Sequence, residues 1–289
     1  MNGIANEPGG RLVHADDLAA SAARPRALDE IYADELDVLR VQRAMDPAAI
    51  GAITSRLDAL APAAQWARPN RTMPIQDVQL LGADAPATPT YSAPRGVTLE
   101  AYLDSAQRHE GDLQRLFGPG FDLVGRIERT LALFAGGRPV RLARSADGRA
   151  YAPCTLRRMA PGTAIAIHHD YHYDLALYQE LGPTLDRRTL VSYVFTLQRP
   201  ESGGELDVYG VTPTTPDAPK LPNGFQWDAA AIEARYDRQR IDCDVGDLFL
   251  LAAGRCLHSV AKVEGSRPRI TLGGFLAFDK AGDEVVYWS

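Results

Sequence analysis

Apolar residues in the first half of the chain recur at helical spacing. Ile50, Ile53, Leu57 and Leu60 share one face of a helix that Asp46-Pro47 is suited to start. Leu99, Leu103, Leu113 and Leu116, set among polar residues, predict a second helix over residues 98–117. Leu123, Ile127, Leu131 and Phe134 predict a third over residues 121–134, stopped by Gly136-Gly137. The Pro- and Ala-rich stretch 61–94 reads as irregular loop around a strand at 76–81. Near residue 138 the period shortens. Apolar runs follow at 140–143, 154–159, 164–168, 190–198, 205–209, 247–251, 259–263, 269–278 and 285–288. Pro161-Gly162, Gly203-Gly204, Val245-Gly246 and Gly265 punctuate them. Many short strands with such turns predict a sandwich or jelly roll, with helices before it.

Residues 1–25 read as a flexible start, and residues 26–289 as one domain with a helical part at 26–138 and a β core at 139–289. Residues 212–240, Pro-rich and then helical over 227–235, form an insert of the length that often serves as a lid or substrate loop. Trp288 is expected to be exposed and to pack, for instance across a dimer, so the chain is expected as monomer or homodimer.

Composition narrows the classes. The net charge of −6 argues against a general nucleic-acid binder. No run approaches the roughly 20 apolar residues of a membrane helix, and the first residues lack the pattern of a secretory signal. Cys154, Cys243 and Cys256 are widely spaced and odd in number, so they read as reduced, buried thiols of a cytoplasmic protein. Gly203-Gly204 and Gly273-Gly274 make no dinucleotide-binding fingerprint, and no serine sits in a nucleophile elbow.

The candidate chemistry lies in the run MAPGTAIAIHHDYHYD. In a strand, residues i and i+2 share a side, so His168 and Asp170 can reach one metal while His169 points away. His172 and Asp174 have the same spacing but fall past the strand end. A third ligand must come from elsewhere in the fold, and His258 stands between two apolar runs. Two His and one carboxylate leave open positions suited to the Fe(II) of an oxygenase, whereas zinc would call for more Cys or His. A 2-oxo-acid co-substrate chelating that metal needs a buried cation for its far carboxylate, a task for the planar fork of Arg. Arg267, Arg269 and Thr271 alternate onto one strand face, and Arg157 precedes His168 on an earlier strand.

The runs PGTAIAIHHD and GRCLHSVAKVEG, with the arginine-bearing strand after them, resemble an Fe(II)/2-oxoglutarate-dependent oxygenase. The closing SVAKVEGSRPRITLGGFLAFDKAGDEVVYWS and the earlier SYVFTLQRPESGGELDVYG are similar to one branch of that family. It contains the indole-alkaloid halogenases of hapalindole and welwitindolinone biosynthesis, together with hydroxylases of N-substituted L-amino acids. The likeness covers residues 151–289. It implies a double-stranded β-helix, a cupin-like jelly roll in an α+β, mainly β chain, using Fe(II), 2-oxoglutarate and O2. It implies iron ligands at His168 and His258 and the co-substrate carboxylate at Arg269 with Arg157 as helper, with Arg267 as the alternative because the His-to-Arg spacing varies between branches. Ser192 falls where the halogenases carry a serine that tunes the oxidant's orientation. The halogenases have Gly where this chain has Asp170, and chloride takes the place left vacant. The carboxylate therefore implies hydroxylation of a small molecule, an N-substituted amino acid or natural-product intermediate, with succinate and CO2 as co-products. The alternatives are a halogenase or desaturase of the same fold, or a non-catalytic jelly-roll binding protein.

Overall fold

The first run of the chain to form regular structure is residues 12–15. The computed structural model describes residues 12–15, 24–60, 78–81, 98–118, 120–170, 180–188, 190–224 and 226–289. Most of the expected flexible start, most of the loop 61–94 and the pair His172 and Asp174 therefore lie outside the described residues, but residues 12–15 of that start form a strand that pairs with residues 38–41, because an edge strand can be set by its partner rather than by its own period. In chain order the elements begin with β1 (Leu12–Ala15), α1 (Ala27–Tyr32), β2 (Val38–Val41), α2 (Pro47–Leu60), β3 (Val78–Leu81), α3 (Leu99–Phe117) and α4 (Leu123–Ala132). There follow β4 (Val140–Leu142), β5 (Thr155–Met159), β6 (Ile165–His168), β7 (Val191–Gln198), β8 (Ser202–Gly203) and β9 (Leu206–Tyr209). The chain closes with α5 (Ala229–Arg235), β10 (Arg238–Ile241), β11 (Leu248–Leu251), β12 (His258–Val260), β13 (Val263–Glu264), β14 (Arg269–Phe278) and β15 (Val285–Trp288).

The strands make a jelly roll. A large sheet runs β1-β2-β11-β7-β14-β15-β4; β5 pairs with the first half of β14 on the edge that β15 takes further along, and β3 lies beyond β5. A small sheet runs β10-β9-β12-β6. Side-chain alternation divides β7. Tyr193, Phe195 and Leu197 enter the main core, while Ser192 and Thr196 take the opposite side. In the same way Ile270, Leu272 and Leu276 of β14 join that core, and the buried Arg269 and Thr271 do not.

The helices cover the apolar side. Ile50, Ile53 and Leu57 of α2, Leu113 and Leu116 of α3, and Ile127 and Leu131 of α4 all belong to the same core as the odd-numbered residues of β7. Burying each such side chain is worth roughly 1.5–3 kcal/mol, more than helical propensity supplies. Local signals set the ends. Thr98 and Asp122 accept from the backbone N–H of Ala101 and Gly125 at 3.2 and 2.8 Å, and Gly118 ends α3 with φ of 87°.

Three expectations are corrected. The helical part contains a strand, β2, which lies between β1 and β11; four residues, VLRV, are too short to show a period. The run at 259–263 divides into β12 and β13, which pair with different strands. Trp288 is not exposed but fully buried, beside Phe275 and in the same core cluster as Tyr102 and Tyr151. All three cysteines are buried and free, as expected.

Candidate metal centre

His168 is the last residue of β6, and His258 is the first of β12. The antiparallel register sets them directly opposite, so both side chains leave the small sheet on one face. Their rings lie 4.2 Å apart between centroids. Asp170, two residues beyond His168, is held by its backbone N–H, which donates to the carbonyl of Ala253 at 2.8 Å. Its Oδ1 is 3.6 Å from His168 Nε2 and its Oδ2 is 3.8 Å from His258 Nε2. One donor atom from each of the three lies within 4.8 Å of the others.

Hydrogen bonding prepares these groups for a metal. Nδ1 of His168 lies 2.8 Å from the carbonyl of Ala166, and Nδ1 of His258 lies 3.0 Å from that of Cys256. A carbonyl accepts only, so each Nδ1 carries the proton and each Nε2 presents a lone pair towards Asp170. Burial pushes His258 down to about 4, helped by His168 and opposed by Asp170, so its imidazole is neutral at pH 7. Ser192 Oγ donates to Asp170 Oδ2 at 2.8 Å and fixes the carboxylate's rotation.

Behind this triad the interior is cationic. Arg269 is 6% exposed, and Thr271 is buried beside it on the same face. Arg157 stands opposite Thr271 in register, as Met159 stands opposite Arg269. All four therefore share the face that looks away from the main core. Arg269 Nε and Thr196 Oγ1 are buried without a hydrogen-bond partner. Both residues line a small cavity with Gly204, Cys243 and Glu205. Buried donors left unpaired in a protein interior are costly, and an anionic ligand satisfies them. The donor set fits a divalent metal with open positions, and the Arg269 guanidinium, whose Nε has no partner, fits a carboxylate of a chelating co-substrate.

Of the expected residues, His168, Asp170, Ser192 and His258 come together at the triad, and Arg157, Arg269 and Thr271 gather behind it. Arg267 does not join them. It is exposed and donates to the carbonyl of Pro200 at 3.2 Å. Trp227 and Ile232 pack on Ile167 and Leu257, neighbours in sequence of the two histidines, and so brace the outer face of the small sheet. Residues 171–179, which follow Asp170, lie outside the described residues. Sequence reasoning missed Ala253-Gly254 and Thr196. Gly254 has a packing reason: a Cβ there would lie 2.7 Å from the backbone N of Leu190 and 3.3 Å from the carbonyl of Asp170. A glycine between a strand and a candidate ligand was the available signal.

The model of the family described as carrier-protein-independent halogenase WelO5 matches residues 16–289. Among solved structures, an N-substituted L-amino acid dioxygenase from Burkholderia ambifaria, in complex with alpha-KG, is similar with a TM-score of 0.50. It is 16% identical, over 93% of this chain and 91% of that one. The epimerase SnoN, in complex with Fe3+, alpha ketoglutarate and nogalamycin RO, is similar with a TM-score of 0.51 and 15% identity, over 89% of this chain and 82% of that one. These two likenesses concern the fold. No curated protein matches the chain.

Proposed function

This chain belongs to the family of the carrier-protein-independent halogenase WelO5, and from that premise we propose that it is a hydroxylase of an unactivated C–H bond in a small molecule. The substrate is an N-substituted amino acid or a natural-product intermediate. As a 2-oxoglutarate-dependent non-haem iron oxygenase it takes Fe(II), 2-oxoglutarate and O2. His168, Asp170 and His258 would hold the iron. Arg269, with Thr271 beside it, would hold the far carboxylate of 2-oxoglutarate. The bound metal and co-substrate supply O2 activation and removal of the hydrogen atom, with succinate and CO2 as co-products.

The protein's own part is placement. The two imidazoles are oriented by backbone carbonyls, and the carboxylate is oriented by Ser192. Val208, beside His258 in register, and Phe249, opposite Val194, set apolar walls next to these polar groups. Such walls exclude water and hold a substrate C–H in one orientation.

The observation that carries hydroxylation is the Asp170 carboxylate, set between the two histidines where the resembling halogenases have Gly. The family's description favours a second reading, halogenation. Protein reconstituted with Fe(II) under anaerobic conditions, then given 2-oxoglutarate, O2, chloride and a panel of N-acyl amino acids and alkaloid intermediates, separates the two. The expected product gains one oxygen, with stoichiometric succinate. A chlorinated product from the unaltered protein overturns the reading. Asp170→Gly is expected to lose hydroxylation, and unchanged turnover would remove Asp170 from the ligand set.

A further inference from the structure

One turn holds two of the three metal ligands. Residues 252–257 connect β11 to β12. Within them the Ala253 carbonyl accepts from the Asp170 N–H at 2.8 Å, and the Cys256 carbonyl accepts from His258 Nδ1 at 3.0 Å. Whatever fixes this turn therefore fixes the directions of a carboxylate and an imidazole together. Its internal bonds converge on a single atom: the N–H groups of Arg255 and Cys256 both donate to the Ala252 carbonyl, at 2.9 and 2.8 Å. One shared acceptor lets a turn pivot, so its orientation has to come from outside.

Arg255, between Ala253 and Cys256 in sequence, supplies that orientation. Its half-buried guanidinium reaches the end of α1 and the loop that leads to β2. Nη1 donates to the Ile31 carbonyl at 2.8 Å and to the Asp34 carboxylate. Nη2 donates to the Leu36 carbonyl at 2.9 Å and to Asp37 Oδ1 at 2.7 Å. The Asp37 carbonyl in turn accepts from the Ala252 N–H at 2.9 Å. A planar fork that engages four acceptors fixes rotation as well as position, which an ammonium on a flexible stem does not. On its other side the turn meets the ligand's second support: the Gly254 N–H donates at 2.9 Å to the carbonyl of Leu190, two residues before Ser192.

We propose that Arg255 is a positioning residue for the metal centre: by clamping the turn 252–257 to residues 31–37 it sets the directions in which Asp170 and His258 meet the metal. The proposal rests on the iron assignment above and deepens it. Arg138→Met is the control, because Arg138 ties the same α1 to its surroundings through Asp29 and the carbonyls of Ala135 and Gly282, away from the triad. In the metal-free protein, amide hydrogen exchange at Asp170, followed by NMR, is expected to quicken about tenfold or more in Arg255→Met and not in Arg138→Met. Well below the melting temperature of each variant, Arg255→Met is expected to bind Mn(II) about 10- to 100-fold more weakly, the range for groups that orient ligands, and Arg138→Met within about threefold of the parent. The Mn(II) still bound by Arg255→Met is expected to give a broadened EPR spectrum, which a mere loss of folded protein does not produce. Arg255→Lys, which keeps the charge but reaches fewer acceptors, is expected to fall between. Parental Mn(II) affinity in Arg255→Met, or an equal loss in Arg138→Met, overturns the proposal. If Arg255→Met does not fold, Asp37→Asn decides: it weakens one arm of the clamp, a loss of about threefold or more is expected, and parental affinity overturns the proposal. An unaltered protein that binds no Mn(II) would instead overturn the iron assignment, and quickened exchange at Asp170 would then still show the clamp at work.

Discussion

Asp170 is held at three points: its backbone N–H by Ala253, its Oδ2 by Ser192 and its carboxylate between two imidazoles. Removing the Ser192 hydroxyl frees the carboxylate to rotate and deletes a hydrogen bond to a charged group, worth roughly 1.5–3 kcal/mol. Ser192→Ala is therefore expected to weaken Mn(II) binding about 10- to 100-fold in a metal titration, within the range for partners that orient ligands. An unchanged affinity would mean that the bond does not orient the ligand. His109 shows the same physics away from the metal. It is 2% exposed, its Nε2 meets the carbonyl of Cys154, and its Nδ1 has no partner. Burial holds its imidazole below the usual range, partly opposed by that carbonyl. The unfolded chain takes up a proton here below about pH 6.5 and the folded chain resists it. Its contribution to stability is complete above that pH and is lost as the pH falls. His258, held down to about 4, acts with the same sign. Urea unfolding of the metal-free protein should show stability falling from pH 7.5 to 5, with a slope of up to about 1.4 kcal/mol per pH unit for each such proton. His109→Gln should flatten it.

At the scale of elements, β2 is the part that the period of the sequence conceals. It joins the large sheet through β11, and between them Arg40 Nε donates to Asp247 Oδ2 at 2.8 Å with both groups buried. Breaking such a pair leaves Asp247 charged without its counter-ion, at a cost of about 3–5 kcal/mol. Arg40→Met should lower the urea midpoint accordingly, and Arg40→Met with Asp247→Asn should recover part of the loss, since the neutral amide needs no counter-ion and its oxygen still accepts a backbone N–H from Arg43 or Asp244. If the single variant is as stable as the parent, the pair is not holding β2 in place. The strands that carry the triad were legible because their signals are local: apolar alternation, a Pro-Gly turn, then His168 and Asp170 two apart. The insert was legible as a short helix but not as a brace, because what Trp227 and Ile232 touch depends on chain folded back from elsewhere.

For the whole molecule, the site joins two histidines from strands 90 residues apart in sequence, so its formation is coupled to closure of the small sheet. A ligand that binds only the closed form stabilises it. At 100 times its dissociation constant that gain is about 2.7 kcal/mol. Mn(II) with 2-oxoglutarate should therefore raise the melting temperature. Asp170→Gly should show a much smaller rise, and equal rises would place the metal elsewhere. Among the described residues no helix is long and apolar enough to cross a membrane. By itself the sequence determined the jelly-roll class, the helices before it and the shared side of His168 and Asp170, because periodicity, caps and i, i+2 spacing are local. It also determined that a carboxylate stands where the resembling halogenases have none. Only the tertiary structure decided that His258 lies in register with His168, that Ser192 holds Asp170, that Arg267 turns out to solvent, and that Arg157 turns inward without a partner. Those outcomes depend on which strands pair and in what register, and pairing is settled by burial summed over the whole core.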